Sequence, residues 1–186
     1  MKNPNKIIVA EYSKEWPFAF ESLKEVYKGF LSDLIIDIQH VGSTSIPGLA
    51  AKPILDIDLI IANRHLLNPV IIRLEKLGYE YQGDLGIPDR EAFRNLSDRT
   101  PLDGSGRIWQ KHHLYCCTKN SISLRNHLQF RDFLLENPEK AKQYGVLKQQ
   151  LVSQDPFDMD RYAELKTPFI TEVLNEAGFN LPGQAD

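Results

Sequence analysis

The run Ile54-Leu55-Asp56-Ile57-Asp58-Leu59-Ile60-Ile61 constrains this chain more than any other segment. Its β-branched and leucine-rich composition predicts a strand. A strand sends alternate residues to opposite faces, so Leu55, Ile57, Leu59 and Ile61 form an apolar face while Asp56 and Asp58 share the other. Two aspartates so spaced stand about 6.6 Å apart at Cα. At an effective dielectric of 20 their charges repel by up to about 2.5 kcal/mol. Such a pair needs compensation, either from a cation between the two or from basic and hydrogen-bonding neighbours in a structural cluster. Hard oxygen donors suit Mg²⁺ or Mn²⁺.

Around this strand the periodicity predicts an α/β (α+β) globule with a mixed sheet flanked by helices. A helix over 14–31, capped by Ser13, carries the stripe Trp16, Phe20, Leu23, Tyr27 and Phe30, and Pro17 falls in its first turn, where no amide partner is lost. A strand over 34–41 follows. Asn68-Pro69 opens a short helix through Leu77 that Gly78 ends. Strands are predicted over 79–82, 92–96 and 108–117, with a polar, glycine-rich loop over 97–106. From Ser121 onward the period is helical, over about 121–136, 138–153 and 158–177. The expected organisation is a single domain with an α/β core over 1–118 and a C-terminal helical segment over 119–178.

Composition excludes several classes. With 186 residues, 42% hydrophobic and 25% charged, the chain is long and apolar enough for a sizeable core. Lys and Arg total 22 against 25 Asp and Glu, a net charge of -3 that argues against bulk coating of nucleic acid. No apolar run approaches the ~20 residues of a membrane span. The two cysteines, Cys116 and Cys117, are adjacent, and neighbouring Cα atoms at ~3.8 Å lie below the disulfide range. The reading is of a cytoplasmic protein, a monomer or weak homodimer.

A second motif precedes the aspartates. The strand over 34–41 stops at Gly42-Ser43-Thr44-Ser45. Glycine lets a backbone approach a phosphate, and a serine hydroxyl with successive amides can hold its oxygens. Twelve residues, Thr44 to Leu55, separate this turn from Asp56. A phosphate-holding turn on one strand and a metal-holding Asp-x-Asp on its neighbour together meet the needs of phosphoryl or nucleotidyl transfer. No P-loop is formed, because no Gly-Lys-Ser/Thr follows.

The segment from His40-Val41-Gly42-Ser43-Thr44-Ser45-Ile46-Pro47-Gly48-Leu49 through Lys52-Pro53 to Asp56-Ile57-Asp58 resembles the signature of the GrpB-like family. Further resemblance lies in Gly86-Ile87-Pro88-Asp89-Arg90, His112-His113-Leu114-Tyr115 and Phe130-Arg131-Asp132-Phe133. That family is assigned to the nucleotidyltransferase superfamily, with a DNA polymerase beta-like core. The resemblance implies that Gly42 and Ser43 match the superfamily's glycine-serine motif and that Asp56 and Asp58 match its first metal-binding pair. One element departs from the pattern. Members that are active place a third carboxylate on a later core strand, whereas the counterpart here, Ile108 to Cys117, contains neither Asp nor Glu and carries His112 and His113. An imidazole can bind a metal or take a proton, but neutralises no metal charge.

The candidate catalytic residues are therefore Asp56, Asp58 and His113, with Asp56 and Asp58 as metal ligands. His113 is preferred over His112 because His113, Tyr115 and Cys117 alternate onto one face. Gly42, Ser43, Lys52 and Arg90 are candidate contacts to a nucleotide or another phosphorylated small molecule. Each has a plainer alternative: a turn for Gly42-Ser43, a surface lysine for Lys52, a solvated arginine for Arg90 and a structural ion pair for the aspartates. The function expected is Mg²⁺-dependent transfer of a nucleotidyl group to an acceptor. The alternatives are a non-catalytic nucleotide-binding relative and an interaction module with a vestigial site.

Overall fold

The computed structural model describes residues 6–178. They divide into two compact units. One takes Lys14–Val41 and Ile54–Arg125; the other takes the residues up to Ser13, Gly42–Pro53 and those from Asn126 on. This partition assembles each unit from separated stretches of chain, whereas the sequence expectation cuts once, near residue 118.

The first unit is built on a five-stranded mixed sheet of β1 (Asp37–Val41), β2 (Leu55–Ile61), β3 (Tyr79–Tyr81), β4 (Arg90–Asn95) and β5 (His112–Thr118), in the order β1-β2-β5-β4-β3. Only β2 and β5 run parallel; the other three pairings are antiparallel. The mixed α/β class expected from the alternating periods is the one found. Helix α1 (Glu15–Leu31) covers one sheet face. Its Phe20 ring stacks on His40 at 4.7 Å, and its Tyr27 hydroxyl meets that of Tyr79 at 2.6 Å. Helix α2 (Leu67–Lys76) is tied to the end of α1 by Arg73, which donates to both carboxylate oxygens of Asp33.

Three local differences from the sequence reading have identifiable causes. Lys14, not Ser13, occupies the N-cap position of α1, and Leu31 turns inward in place of the exposed Phe30. The strand expected from residue 34 begins at Asp37, because the amides of Leu34 and Ile35 are spent on the carbonyl of Leu31 in closing the helix. The strand expected from residue 108 begins at His112. The stretch before it is drawn to the preceding loop, Trp109 donating from its backbone to Asp98 and from its ring to Pro101.

Gly78 closes α2 at φ +87°, in the left-handed region where a Cβ is penalised. A Cβ there would also lie 3.0 Å from Leu102 Cγ and 3.1 Å from Thr100 Oγ1. Gly78→Ala is expected to lower unfolding free energy by about 1–3 kcal/mol. Urea titration checks this, and a change within ±0.5 kcal/mol contradicts it.

The second unit packs helices α4 (Pro138–Gln154) and α5 (Met159–Glu176), with the part of α3 (Ile122–Glu136) that follows Arg125, around Ile46 and Leu49. Phe130, Leu134, Tyr144, Val173 and Leu174 complete that core. Tyr144 stacks on Phe169 at 4.9 Å, and Lys140 bridges α4 to Glu172 and Glu176 of α5. The three helices follow the predicted bounds within a residue or two. Among the described residues no helix is long and apolar enough to cross a membrane.

Candidate active site

Period-2 alternation in β2 leaves Leu55, Ile57 and Leu59 on the face that α1 covers and puts Asp56 and Asp58 on the other. Pairing then decides their neighbours. Asp56 stands in register with Val41 of β1 and His113 of β5; Asp58 stands in register with Gln39 and Tyr115. Residues in register share a face, so this side of the sheet carries Asp56, Asp58, His113 and Tyr115 together.

His113 Nδ1 lies 2.9 Å from Asp56 Oδ1, with 47% of the imidazole and 33% of the carboxylate side chain exposed. Because the carboxylate accepts, Nδ1 carries the proton and the Nε2 lone pair is directed elsewhere. Asp58 is fully buried. The Tyr115 phenol is pushed up to about 12 by burial, and then by the negative charges of Asp56 and Asp58. It is thus a neutral hydroxyl beside the carboxylates at physiological pH. The guanidinium of Arg90, on β4, sits 4.7 Å over the Tyr115 ring, and its Nε is buried without a hydrogen-bond partner.

The other histidine has a different role. His112 belongs to the opposite face, where Nδ1 donates to the Gln110 carbonyl at 2.8 Å. Its Nε2 receives Tyr79 Oη at 2.6 Å and Asn95 Nδ2 at 3.0 Å. Burial pulls this imidazole down to about 4. The carboxylate of Glu91 also lies on that opposite face, bonded to Tyr81 and 2.8 Å from Arg64. Neither β4 nor β5 therefore adds a carboxylate to the Asp56–Asp58 face, and His113 holds the register position beside Asp56.

The remaining candidates lie in the second unit. Gly42 adopts φ +68° with ψ -172°, and a single 3₁₀ turn over Ser43–Ser45 follows, closed by Ser45 Oγ donating to Gly42 O at 2.6 Å. Only glycine adopts that backbone at low cost. Lys52 Nζ lies 3.5 Å from Met159 Sδ and 5.7 Å from the centre of the Tyr162 ring. Tyr115 and Arg90 form a pair that the sequence did not announce, since their contact depends on the register of β4 against β5.

Among the described residues no three His, Cys, Asp or Glu side chains are grouped to hold a metal ion. The donor set still fits Mg²⁺ or Mn²⁺. Such ions are bound by one or two carboxylates, with water and substrate phosphates supplying the other oxygens. Asp56 and Asp58 are two carboxylates on one face, and Asp56 keeps an exposed side for such a partner.

The architecture is that of a nucleotidyltransferase-like fold. The structure of a GLD-2/RNP-8 complex matches it with a TM-score of 0.54 at 12% identity, over 95% of this chain and 70% of that one, a likeness of fold alone. A family model described as "GrpB protein" matches residues 6–176, and the chain belongs to that family. The UPF0157 protein YqkA of Bacillus subtilis (strain 168) is 32% identical over 172 residues. That match covers 92% of this chain but 47% of the relative, so the chain spans about half of that protein's length. The crystal structure of conserved protein GrpB from Enterococcus faecalis matches with a TM-score of 0.78 and 34% identity, over 91% of this chain and 96% of that one. The family expected from the signature around Gly42 and Asp58 is thereby shown.

Proposed function

We propose that this chain is a Mg²⁺-dependent nucleotidyltransferase. The observation that carries the reading is the pair Asp56 and Asp58 on one sheet face, with His113 hydrogen-bonded to Asp56 and Tyr115 in register with Asp58. Asp56 and Asp58 would hold Mg²⁺ or Mn²⁺, which offsets charge on the nucleotide phosphates. Gly42 and Ser43 keep the phosphate-gripping assignment that the sequence pattern gives them, and Lys52 and Arg90 are proposed as further contacts to anionic groups. Arg90 suits this because its guanidinium is oriented by the Tyr115 ring, leaving its fork of donors for a phosphate.

In the transfer step an acceptor oxygen or nitrogen forms a bond to the α-phosphorus of a nucleoside triphosphate. The bond from that phosphorus to the bridging oxygen breaks, and pyrophosphate leaves with the electron pair. His113 takes the acceptor's proton at Nε2, with Asp56 fixing the ring through Nδ1, the orientation a carboxylate gives a catalytic imidazole. Nucleoside triphosphates and Mg²⁺ are both supplied in the cytoplasm, the compartment this reading assigns.

Mg²⁺ or Mn²⁺ with a nucleoside triphosphate at about a hundredfold excess over Kd is expected to add ~2.7 kcal/mol of stability. For a chain of this size that corresponds to a rise in Tm of about 5–10 °C. Differential scanning fluorimetry across the four common triphosphates, each with and without Mg²⁺, makes the measurement. No metal-dependent shift with any of them refutes the reading. A shift without pyrophosphate release in the presence of candidate acceptors reassigns the chain as a nucleotide-binding protein that lacks the transfer step, consistent with an imidazole standing where a third carboxylate is expected.

A further inference from the structure

A transferase needs two substrates, and the nucleotide assigned to the carboxylates accounts for one. A cavity of about 590 Å³ starts from His113 and Tyr115 and is lined further by Ala92, Arg94, Leu85 and Trp109. That volume is typical of a small-molecule site, roughly 300–1,000 Å³. It lies within the unit that carries Asp56 and Asp58, and it shares two side chains with their face.

Three features of the wall suit a ring-sized apolar guest. Ala92 stands in register with Tyr115, so that β4 puts only a methyl group where most strand residues would fill the space. Leu85 is 63% exposed and held at φ +49°, a backbone conformation leucine rarely adopts. Asp84 maintains that turn by accepting from the Gly86 amide at 2.9 Å. An apolar side chain is thereby presented at the cavity, where it lacks cover. Trp109 is fixed in place, its ring N–H donating to Pro101 O at 2.9 Å and the Arg107 guanidinium lying 4.0 Å over the ring. A stationary aromatic wall costs little ordering entropy when a flat guest packs on it.

We propose that this cavity holds the acceptor, a small molecule with an apolar, ring-sized body whose hydroxyl or amine is presented at His113. The assignment rests on the nucleotidyl-transfer reading above and names the substrate class that reading leaves open. A polynucleotide is the poorer match, since the net charge of the chain is -3 and the lining sets two cations, Arg94 and Lys111, beside leucine and tryptophan, short of a track of cations.

The test uses the full chain labelled with ¹⁵N and titrated with indole and with tyramine. The ring N–H of Trp109 is the reporter, and Trp16, a buried residue of the first turn of α1, is the internal control. Saturable movement of the Trp109 signal, with Trp16 unmoved, is expected. Ala92→Leu, which fills the cavity floor, is expected to weaken that binding at least about tenfold. Leu85→Asn tolerates the left-handed backbone and removes the apolar wall at an exposed position, so it reports even where Ala92→Leu fails to fold. It too is expected to weaken binding. If neither probe moves Trp109, or if both variants bind as the parent does, the proposal is overturned. Ring binding by a protein that shows no Mg²⁺-nucleotide shift overturns the acceptor role while locating the failure in the nucleotidyl-transfer reading, because the cavity itself has then been shown to fill.

Discussion

Asp56→Asn is expected to abolish the Mg²⁺-dependent nucleotide shift and to reduce nucleotidyl transfer by about 10²–10³-fold, while leaving the free protein at least as stable as the parent. The two halves of this expectation have one physical origin. Asp56 and Asp58 stand on one face about 6.6 Å apart at Cα, where two charges repel by up to about 2.5 kcal/mol at an effective dielectric of 20. The hydrogen bond from His113 to Asp56, with both groups partly exposed, offsets part of that. Removing one charge relieves the free protein, and an amide still accepts from His113 Nδ1. The same change deprives a divalent ion of half its protein charge and takes away a preorganised electrostatic contribution of the size typically measured on deleting one such group. A structural ion pair behaves in the opposite way: neutralising one member leaves the other uncompensated and lowers stability. Urea unfolding of the free protein together with fluorimetry in Mg²⁺ and nucleotide separates the cases. Loss of stability with the ligand shift intact defeats the site assignment.

What could be read from the sequence, and what could not, divides by range. The shared face of Asp56 and Asp58 follows from period 2 within one strand, and the long C-terminal helices follow from period 3.6 with Asn137-Pro138 and Gly178 as punctuation. Both are local properties. Which histidine accompanies the aspartates is not local. It depends on the parallel register of β2 against β5, between residues 57 apart in the chain, and a slip of one residue would have exchanged His112 for His113. The alternation of His113 with Tyr115 and Cys117 favours His113, and those three residues do share the face in register with Asp56, Asp58 and Ile60. The partnership of Arg90 with Tyr115 needed a second, antiparallel register and carried no sequence signal. The assembly of Gly42–Pro53 into one unit with the residues after Asn126 was hidden for the same reason. Apolar side chains such as Ile46 and Leu49 announce burial without naming the surface that covers them.

Between pH 6.5 and about 4, stability is expected to fall by up to about 3 kcal/mol on account of His112 alone. The imidazole is buried on the face opposite the aspartates, its Nδ1 proton given to Gln110 and its Nε2 accepting from Tyr79 and Asn95. Tyr27 and Tyr79 form the rest of this knot, and burial raises both phenols, so neither supplies a charge to compensate an imidazolium. The sign follows from proton counting. The folded pKa of about 4 lies below the ordinary 6.5, so between those values the unfolded chain binds a proton that the native protein refuses. Stability from this group is therefore complete above pH 6.5 and is lost progressively as pH falls toward 4. Carboxylates held low by their partners, Asp33 beside Arg73 and Asp103 beside Ser105, lose their contribution only at lower pH. Urea unfolding at half-unit intervals from pH 4.5 to 7.5 gives the slope. His112→Gln supplies the control, because glutamine hydrogen-bonds without titrating. It is expected to lower stability by about 1–3 kcal/mol at pH 7, where hydrogen bonds and ring packing are lost, and to flatten the slope below pH 6.5. The difference between the two curves cancels the other histidines and should close toward pH 4, where the parent's advantage has been titrated away. Curves that stay parallel across the range show that His112 is not the buried neutral base described here.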